Sequence, residues 1–329
     1  MGYSVGLLRA GGWGGLAAWV GFTLPSAVAM VCFALGARTL TGAAGEGLVH
    51  GLTLVAVPIV GQAVIGMGRT LCPDLRRALI AVVSALIALA APGSIAQLLT
   101  IAFGAAAGAY LCRGSVPTAP WTVTSPVSQR AGLAALTMFF ALLLALPVAR
   151  AISHSSLVAL ADAFYRSGAL VFGGGHVVLP LLREALVSPG WVDERAFLAG
   201  YGAAQALPGP LFSVAGYLGA VALPAAHGWA GAALGLVSIF VPGLLLVTGA
   251  LPFWSRFRSH PRAEATLRGV NAAVVGVLGA ALYDPVWTNS VRSAADIGIV
   301  LVGFALLMVW RAPPLLVCAV CALGGLLLR

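Results

Sequence analysis

The chain has 329 residues, 60% hydrophobic and only 8% charged, and its net charge of +9 is carried by arginine alone. Soluble domains carry roughly 25% charged residues, and the mean hydropathy here is +1.02, so a water-soluble globular fold is excluded. The arginines stand singly or in small groups between apolar runs, with no basic stripe interleaved with aromatics, which excludes a nucleic-acid-binding protein.

A membrane-spanning helix needs about 20 apolar residues. Runs that approach or exceed this length recur at residues 13–35, 47–67, 78–91, 95–112, 131–149, 229–250, 263–282, 294–310 and 314–328. The runs at 78–91 and 95–112 are short and joined by Pro92-Gly93-Ser94, so they are expected to form a tight hairpin. The alternation of a membrane β-barrel is absent. The fold class expected is therefore all-α, a polytopic integral membrane protein lying in a lipid bilayer. No cleavable signal is expected, because the run at 13–35 lacks a basic leader and is long enough to span. Cys318 and Cys321 have CxxC spacing inside an apolar run without a histidine or acidic partner. They read as helix-face residues, and no metal or cofactor is expected.

The chain repeats itself. Trp13-Gly14-Gly15, Phe22 and Pro25 are echoed by Trp229-Ala230-Gly231, Phe240 and Pro242. His50-Gly51 with Gly61 is echoed by Arg268-Gly269 with Gly279, an offset of 218 for each glycine. Internal duplication is a common transporter architecture. The loop 252–268 carries Arg256, Arg258, Arg262 and Arg268, and the loop 68–77 carries Arg69, Arg76 and Arg77. The excess of arginine places both loops in the cytoplasm. The repeat equates the loop 68–77 with 283–293, which then faces outward, so the halves are expected to be inverted copies.

The segment 172–210 departs from this apolar pattern. It opens with Phe172, Gly173, Gly174, Gly175 and His176, and closes with Gln205, Ala206, Leu207, Pro208, Gly209 and Pro210. Pro180 belongs in the first turn of a helix, which predicts a helix over 177–187. Its first amides lack intrahelical partners and point back at the three glycines, a ready-made anion site. Leu207 before Pro208 is pushed out of helical geometry, and Pro210 suits the start of a new helix at 211–223. The helices 177–187 and 194–206 are too short to cross, and a re-entrant hairpin turning at Ser188-Pro189-Gly190-Trp191 is expected between the breaks. Arg183, Glu184, Asp193, Glu194 and Arg195 lie in it, either as functional charges at depth or as paired ends at the interface.

Gly173, Gly174 and Gly175 read as an oxyanion cradle or a packing turn. His176 reads as a ligand, a proton-linked group or a cap. Pro208, Gly209 and Pro210 read as a gate or second half of the site, or as a kink. Gln205 reads as an amide donor to the anion or a helix–helix bond, and Glu184 as a candidate for proton coupling. His154, Asp162, His176 and Glu184 show no metal-ligand or catalytic spacing, so an enzyme is not expected.

The motif FGGGHVVLPLL, followed by GW, a Phe, AQALPGP and Tyr217-Leu218-Gly219-Ala220, resembles the C-terminal-half signature of the chromate transporter family. Gly6-Leu7-Leu8-Arg9-Ala10-Gly11 through Gly21-Phe22-Thr23-Leu24-Pro25-Ser26 resembles the stretch after the Pro-Gly-Pro of that family's N-terminal half. The resemblance implies two homologous halves: a partial one over 1–150, without its FGGP and PGP motifs, and a second over 151–329 with FGGG and PGP. The chain is thus expected to begin late relative to two-domain members. It also implies secondary efflux of chromate across the cell (inner) membrane, conferring chromate resistance, with a homo-oligomer open. Transport of sulfate or another tetrahedral oxyanion stays open, as does a non-transporting membrane subunit.

Overall fold

The computed structural model describes residues 2–37, 42–90, 94–113, 125–171, 175–222, 228–254 and 261–327. Its regular elements are all helical: α1 (Gly2–Ala37), α2 (Gly42–Leu71), α3 (Leu75–Ala90), α4 (Ser94–Leu111), α5 (Gln129–Ser153), α6 (Ser156–Ala169), α7 (Val178–Leu186), α8 (Glu194–Ala206), α9 (Val214–Val221), α10 (Gly228–Ala250), α11 (Pro261–Ala281), α12 (Ala294–Met308) and α13 (Pro314–Leu327). Among the described residues five helices are long and apolar enough to cross a membrane. The chain is an all-α polytopic membrane protein. On α5, Leu133, Phe140 and Leu144 are exposed, as side chains facing lipid are. The short helices α3 and α4 pair as expected, and Arg76 at the start of α3 donates to the Leu111 carbonyl at the end of α4 (3.0 Å).

α1 is two antiparallel arms rather than one rod. Ala10 leaves helical geometry and Gly11 takes φ +64°, a left-handed conformation that glycine adopts without steric cost. The arm 2–9 folds back on the arm 12–37, so Gly6 packs on Gly14 and Ala18 while the Tyr3 ring covers Gly15. In a straight helix residues 6 and 14 would stand about 12 Å apart. The span expected at 13–35 corresponds to the long arm. The short arm carries too few apolar residues to register as a span.

Two pairs of helices pack through small residues. Gly47 and Gly51 of α2 meet Gly325 and Ala322 of α13, while Gly108 and Gly104 of α4 meet Gly269 and Ala273 of α11. Small residues let helix backbones approach closely where lipid supplies no hydrophobic drive between helices. α2 and α11 run in opposite directions. Ser290, just past α11, donates to the Thr53 carbonyl near the start of α2 (3.0 Å), whereas Met67 near the end of α2 packs with Val270 near the start of α11. Trp19 on the long arm of α1 sits beside Phe240 of α10, and Tyr3, at the level of Gly15, bonds Thr248 (2.7 Å). The long arm of α1 and α10 are therefore antiparallel as well, which is how inverted copies lie.

The two ends of the bundle differ in charge. Arg69, Arg76, Arg77, Arg262 and Arg268 gather where α2 ends and α11 begins. There Asp74 caps α3, accepting from the Arg77 amide (2.9 Å) and its Nε (2.6 Å), and that backbone hydrogen bond is the main reason its carboxyl lies below the ordinary carboxylate range. Toward the other end Asp296 is 3% exposed. It accepts from His50 Nε2 (2.8 Å) and from the amides of Arg292 and Ser293 (2.9 Å each), and completes a capping box with Ser293. Hydrogen bonds to a charged group are worth about 1.5–3 kcal/mol each. Asp296→Asn is expected to lower the thermal midpoint in detergent by an amount equivalent to about 1–3 kcal/mol, and an unchanged midpoint would show that the pair does not tie α2 to α12.

Candidate functional site

The segment that stood out in sequence folds into two hairpins. Arg150, near the end of α5, lies 3.6 Å from Asp162 on α6 and over the Trp191 ring (5.9 Å) just past α7. The middle of α6 thus lies beside the end of α7, and the two helices run antiparallel. Between α8 and α9 the Gly200 backbone packs on the Tyr217 ring, so the chain reverses again at 207–213. The hairpin expected to turn at Ser188–Trp191 is also present: Arg183 near the end of α7 pairs with Glu194 at the start of α8, and His176 just before α7 meets Tyr201 and Gln205 near the end of α8. Ser188, Pro189 and Gly190 connect the two hairpins at their open end, and Pro189 and Gly190 are exposed. The tips of the two hairpins lie at the ends away from this connection, and the tip between α8 and α9 is the proline break itself, which reverses the chain instead of kinking it.

Charges that could have lain at depth are spent at the open end. Arg183 Nε donates to Glu194 (2.9 and 3.0 Å). Asp193 caps α8 by accepting from the Arg195 and Ala196 amides (3.0 and 3.2 Å). Glu184 accepts from Ser188 Oγ (3.1 Å) and faces a polar pocket of about 310 Å³ with Arg150, Asp162 and Arg166.

The two tips meet inside the bundle. Phe172, Gly173 and Gly174 lie outside the described residues. Gly175 begins a 3-10 turn, Gly175–Val177, that leads into α7, and Leu211 begins another, Leu211–Ser213, that leads into α9. A Cβ on Gly175 would stand 3.5 Å from Leu211 Cβ. Leu207 (ψ 138°) is extended, as a residue before proline is, and Pro210 (ψ 136°) is extended as well. Gly209 is pressed against Ser26 of α1, with no room for a side chain. His176 and Gln205 tie the tips together: His176 Nδ1 is 2.9 Å from the Tyr201 hydroxyl and 3.5 Å from Gln205 Nε2.

A cavity of about 680 Å³ opens beside these tips, between α1 and α10. From the tips it is lined by Gly175, Pro210, Leu211 and Phe212, the residues at the N-terminal ends of the α7 and α9 segments. Of the expected site residues, Gly175 and Pro210 thus reach the cavity. His176, Gln205, Pro208 and Gly209 lie around the tips outside its lining, and Glu184 is at the far end of α7. No acidic or basic side chain lines it among the described residues. Each helix N-terminus carries roughly half a positive charge. Two of them converge here on an apolar wall of Trp19, Phe212 and Phe240, with no carboxylate to offset them, an arrangement that an anion stabilises.

Three polar groups that the motifs did not mark are also present. Trp19 Nε1, Thr23 Oγ1 and Ser213 Oγ are buried and have no hydrogen-bond partner among the described residues. Thr23 is 4% and Ser213 1% exposed, and Trp19 and Thr23 line the cavity. Nothing in sequence distinguishes them from other small polar or aromatic residues of an apolar helix.

The family model for the chromate transporter matches residues 1–109 and 158–326. A chromate transport protein of Pseudomonas aeruginosa is 28% identical over 322 residues, covering 93% of this chain and 73% of that relative. A probable chromate transport protein of Synechococcus elongatus is 26% identical over 226 residues, 67% of this chain and 54% of the relative. A chromate transport protein of Cupriavidus metallidurans is 28% identical over 167 residues, 49% of this chain and 40% of the relative. No solved structure matches the chain.

Proposed function

From the premise that the chain belongs to the chromate transporter family, we propose that it moves chromate across the cell membrane as a secondary transporter, in the efflux direction, and so confers chromate resistance. The observation that carries the site of this reading is the meeting of Gly175 and Leu211 on a cavity without carboxylates. Backbone amides at two helix starts recognise tetrahedral oxygens without distinguishing the central atom, so sulfate is the second substrate to test. Gly173 and Gly174 belong to the motif that this reading assigns to the oxyanion, and Pro208, Gly209 and Pro210 hold the second tip against α1. His176, bonded to Tyr201 and near Gln205, couples the tips and is the candidate group for proton linkage.

The same proposal divides the chain into homologous halves over residues 1–150 and 151–329. The paired glycine contacts support that division, and inverted halves suit alternating access around a central site. The arginine-rich end faces the cytoplasm by the positive-inside rule, so both hairpins of the second half enter from the opposite face. Uptake of chromate and sulfate into vesicles containing the chain, compared with Gly174→Leu, tests the reading. Oxyanion uptake by the native chain that Gly174→Leu lowers at least tenfold is the expected result. Uptake unaffected by the substitution would remove the glycine tip from the site, and no uptake of either anion would favour a non-transporting subunit.

A further inference from the structure

Burying a polar group without a hydrogen bond is costly, so such groups need an explanation. Among the described residues four side chains carry one, at Trp19, Thr23, Ser84 and Ser213. Two of these four, Trp19 and Thr23, line one cavity, and a third, Ser213, is buried directly behind the lining residue Phe212. Trp19 and Thr23 are one helical turn apart on the long arm of α1 and line the cavity directly. Ser213 follows Phe212 in the turn that starts α9. The arm is held to that tip, since Ser26 packs on Gly209 and its hydroxyl donates to the Thr23 carbonyl (3.0 Å). The Thr23 hydroxyl itself is left over and lies at the cavity wall.

We propose that Thr23 Oγ1, Ser213 Oγ and Trp19 Nε1 are substrate-binding donors, which complete from the α1 side the oxyanion site begun by the two helix starts. The proposal rests on the oxyanion reading above and adds to it residues that none of the motifs contains. It also gives the site a chemical class. The indole N–H and the helix amides can only donate, and no carboxylate lines the cavity. A fully deprotonated tetrahedral dianion, chromate or sulfate, offers acceptors to all of these groups. Hydrogen phosphate brings a proton of its own, which only the neutral hydroxyls of Tyr3, Ser4 and Thr23 in the lining could accept, each then giving up lone-pair capacity without the strength of a charged acceptor, so that anion fits less well. The apolar wall of Trp19, Phe212 and Phe240 keeps the local dielectric low, which strengthens each donor.

The test uses the full chain in proteoliposomes, with the rate of chromate and sulfate transport measured against concentration. Thr23→Val, Ser213→Ala and Trp19→Phe each delete one donor while nearly keeping shape. Each is expected to raise KM about tenfold or more, the worth of a hydrogen bond to a charged group, while Thr23→Ser keeps KM near the native value. Hydrogen phosphate in tenfold excess is expected not to compete with sulfate. The proposal is overturned if all three deletions leave KM within twofold while Gly174→Leu still abolishes transport, for then the tip site stands without these donors. It also fails if hydrogen phosphate competes as well as sulfate does. If Gly174→Leu is without effect too, the oxyanion site itself has failed. Should Thr23→Val not fold, which its thermal midpoint in detergent reports, Ser213→Ala and Trp19→Phe decide.

Discussion

Gly175→Asp is expected to abolish oxyanion transport while the protein still folds. A side chain at this position meets only ordinary van der Waals distances, 3.5 Å to Leu211 Cβ and 3.7 Å to its Cδ2, so the substitution is not a steric insult. What it adds is a carboxylate at the point where the α7 and α9 segments begin. Negative charge at a helix start is stabilising by about 0.3–1 kcal/mol, and up to roughly 2 kcal/mol where partly buried. A tethered carboxylate would occupy the field that otherwise holds the transported dianion and would repel it. Transport is expected to fall at least a hundredfold, with a thermal midpoint equal to or above that of the native chain. Gly175→Asn has nearly the same shape without the charge and is expected to keep a measurable fraction of the rate. Equal losses in Asp and Asn variants would mean that shape, and not charge, governs this tip.

Gly269→Leu carries the second large expectation, and it concerns the scaffold. A Cβ at Gly269 meets the Gly104 carbonyl and the Gly108 backbone. These neighbours are main chain and cannot swing aside, so α11 and α4 must separate along their length. Overpacking of this kind costs about 1–3 kcal/mol, occasionally more, and backbone neighbours place this site at the upper end. Gly51→Leu drives the same wedge into the equivalent contact, against the Cys321 carbonyl and Ala322 of α13. Both variants are expected to lose most of their folded monomer in detergent size-exclusion chromatography. Gly66→Leu, on an exposed stretch of α2 with nothing within 4 Å of its Cβ, is expected to behave as the native chain. If Gly269→Leu were equally well tolerated, this glycine packing could not be what holds the bundle together.

Much of the fold is written in local residues. Pro180 and Pro210 fix helix starts and Pro208 a helix end, because proline lacks an amide proton and has a set φ and restricts the residue before it, and α8 (Glu194–Ala206) begins and ends where the sequence places it. Gly51 and Gly269 of the glycine repeat are legible because the close helix contacts they make tolerate little else, whereas Gly279 has nothing within 4 Å of its Cβ position. The direction of the chain after each break is not, since Gly173-Gly174-Gly175 and Pro208-Gly209-Pro210 allow both a kink and a reversal. Long-range contacts such as Arg150 with Asp162 and Trp191 decide it. The arm 2–9 is hidden for a related reason: in the run Gly11-Gly12-Trp13-Gly14-Gly15 any glycine could host the turn, and only packing of Gly6 on Gly14 selects Gly11.

The candidate site divides in the same way. Gly175 and Pro210 follow from motif chemistry. Thr23 and Ser213 do not, because a hydroxyl in an apolar helix normally bonds its own backbone, and only the folded arrangement leaves these two without a partner. Trp19 likewise reads as packing until its N–H is found buried against a cavity.

The most direct test of an oxyanion held between two helix starts is to see one there. A structure of the chain with tungstate, a heavy tetrahedral dianion, would locate it by anomalous scattering. The expected result is a single strong peak in the cavity, within hydrogen-bond reach of Gly175 and Leu211 and beside Thr23. A peak confined to the pocket of Arg150 and Arg166 at the open end of the hairpins, with none between the tips, would contradict it.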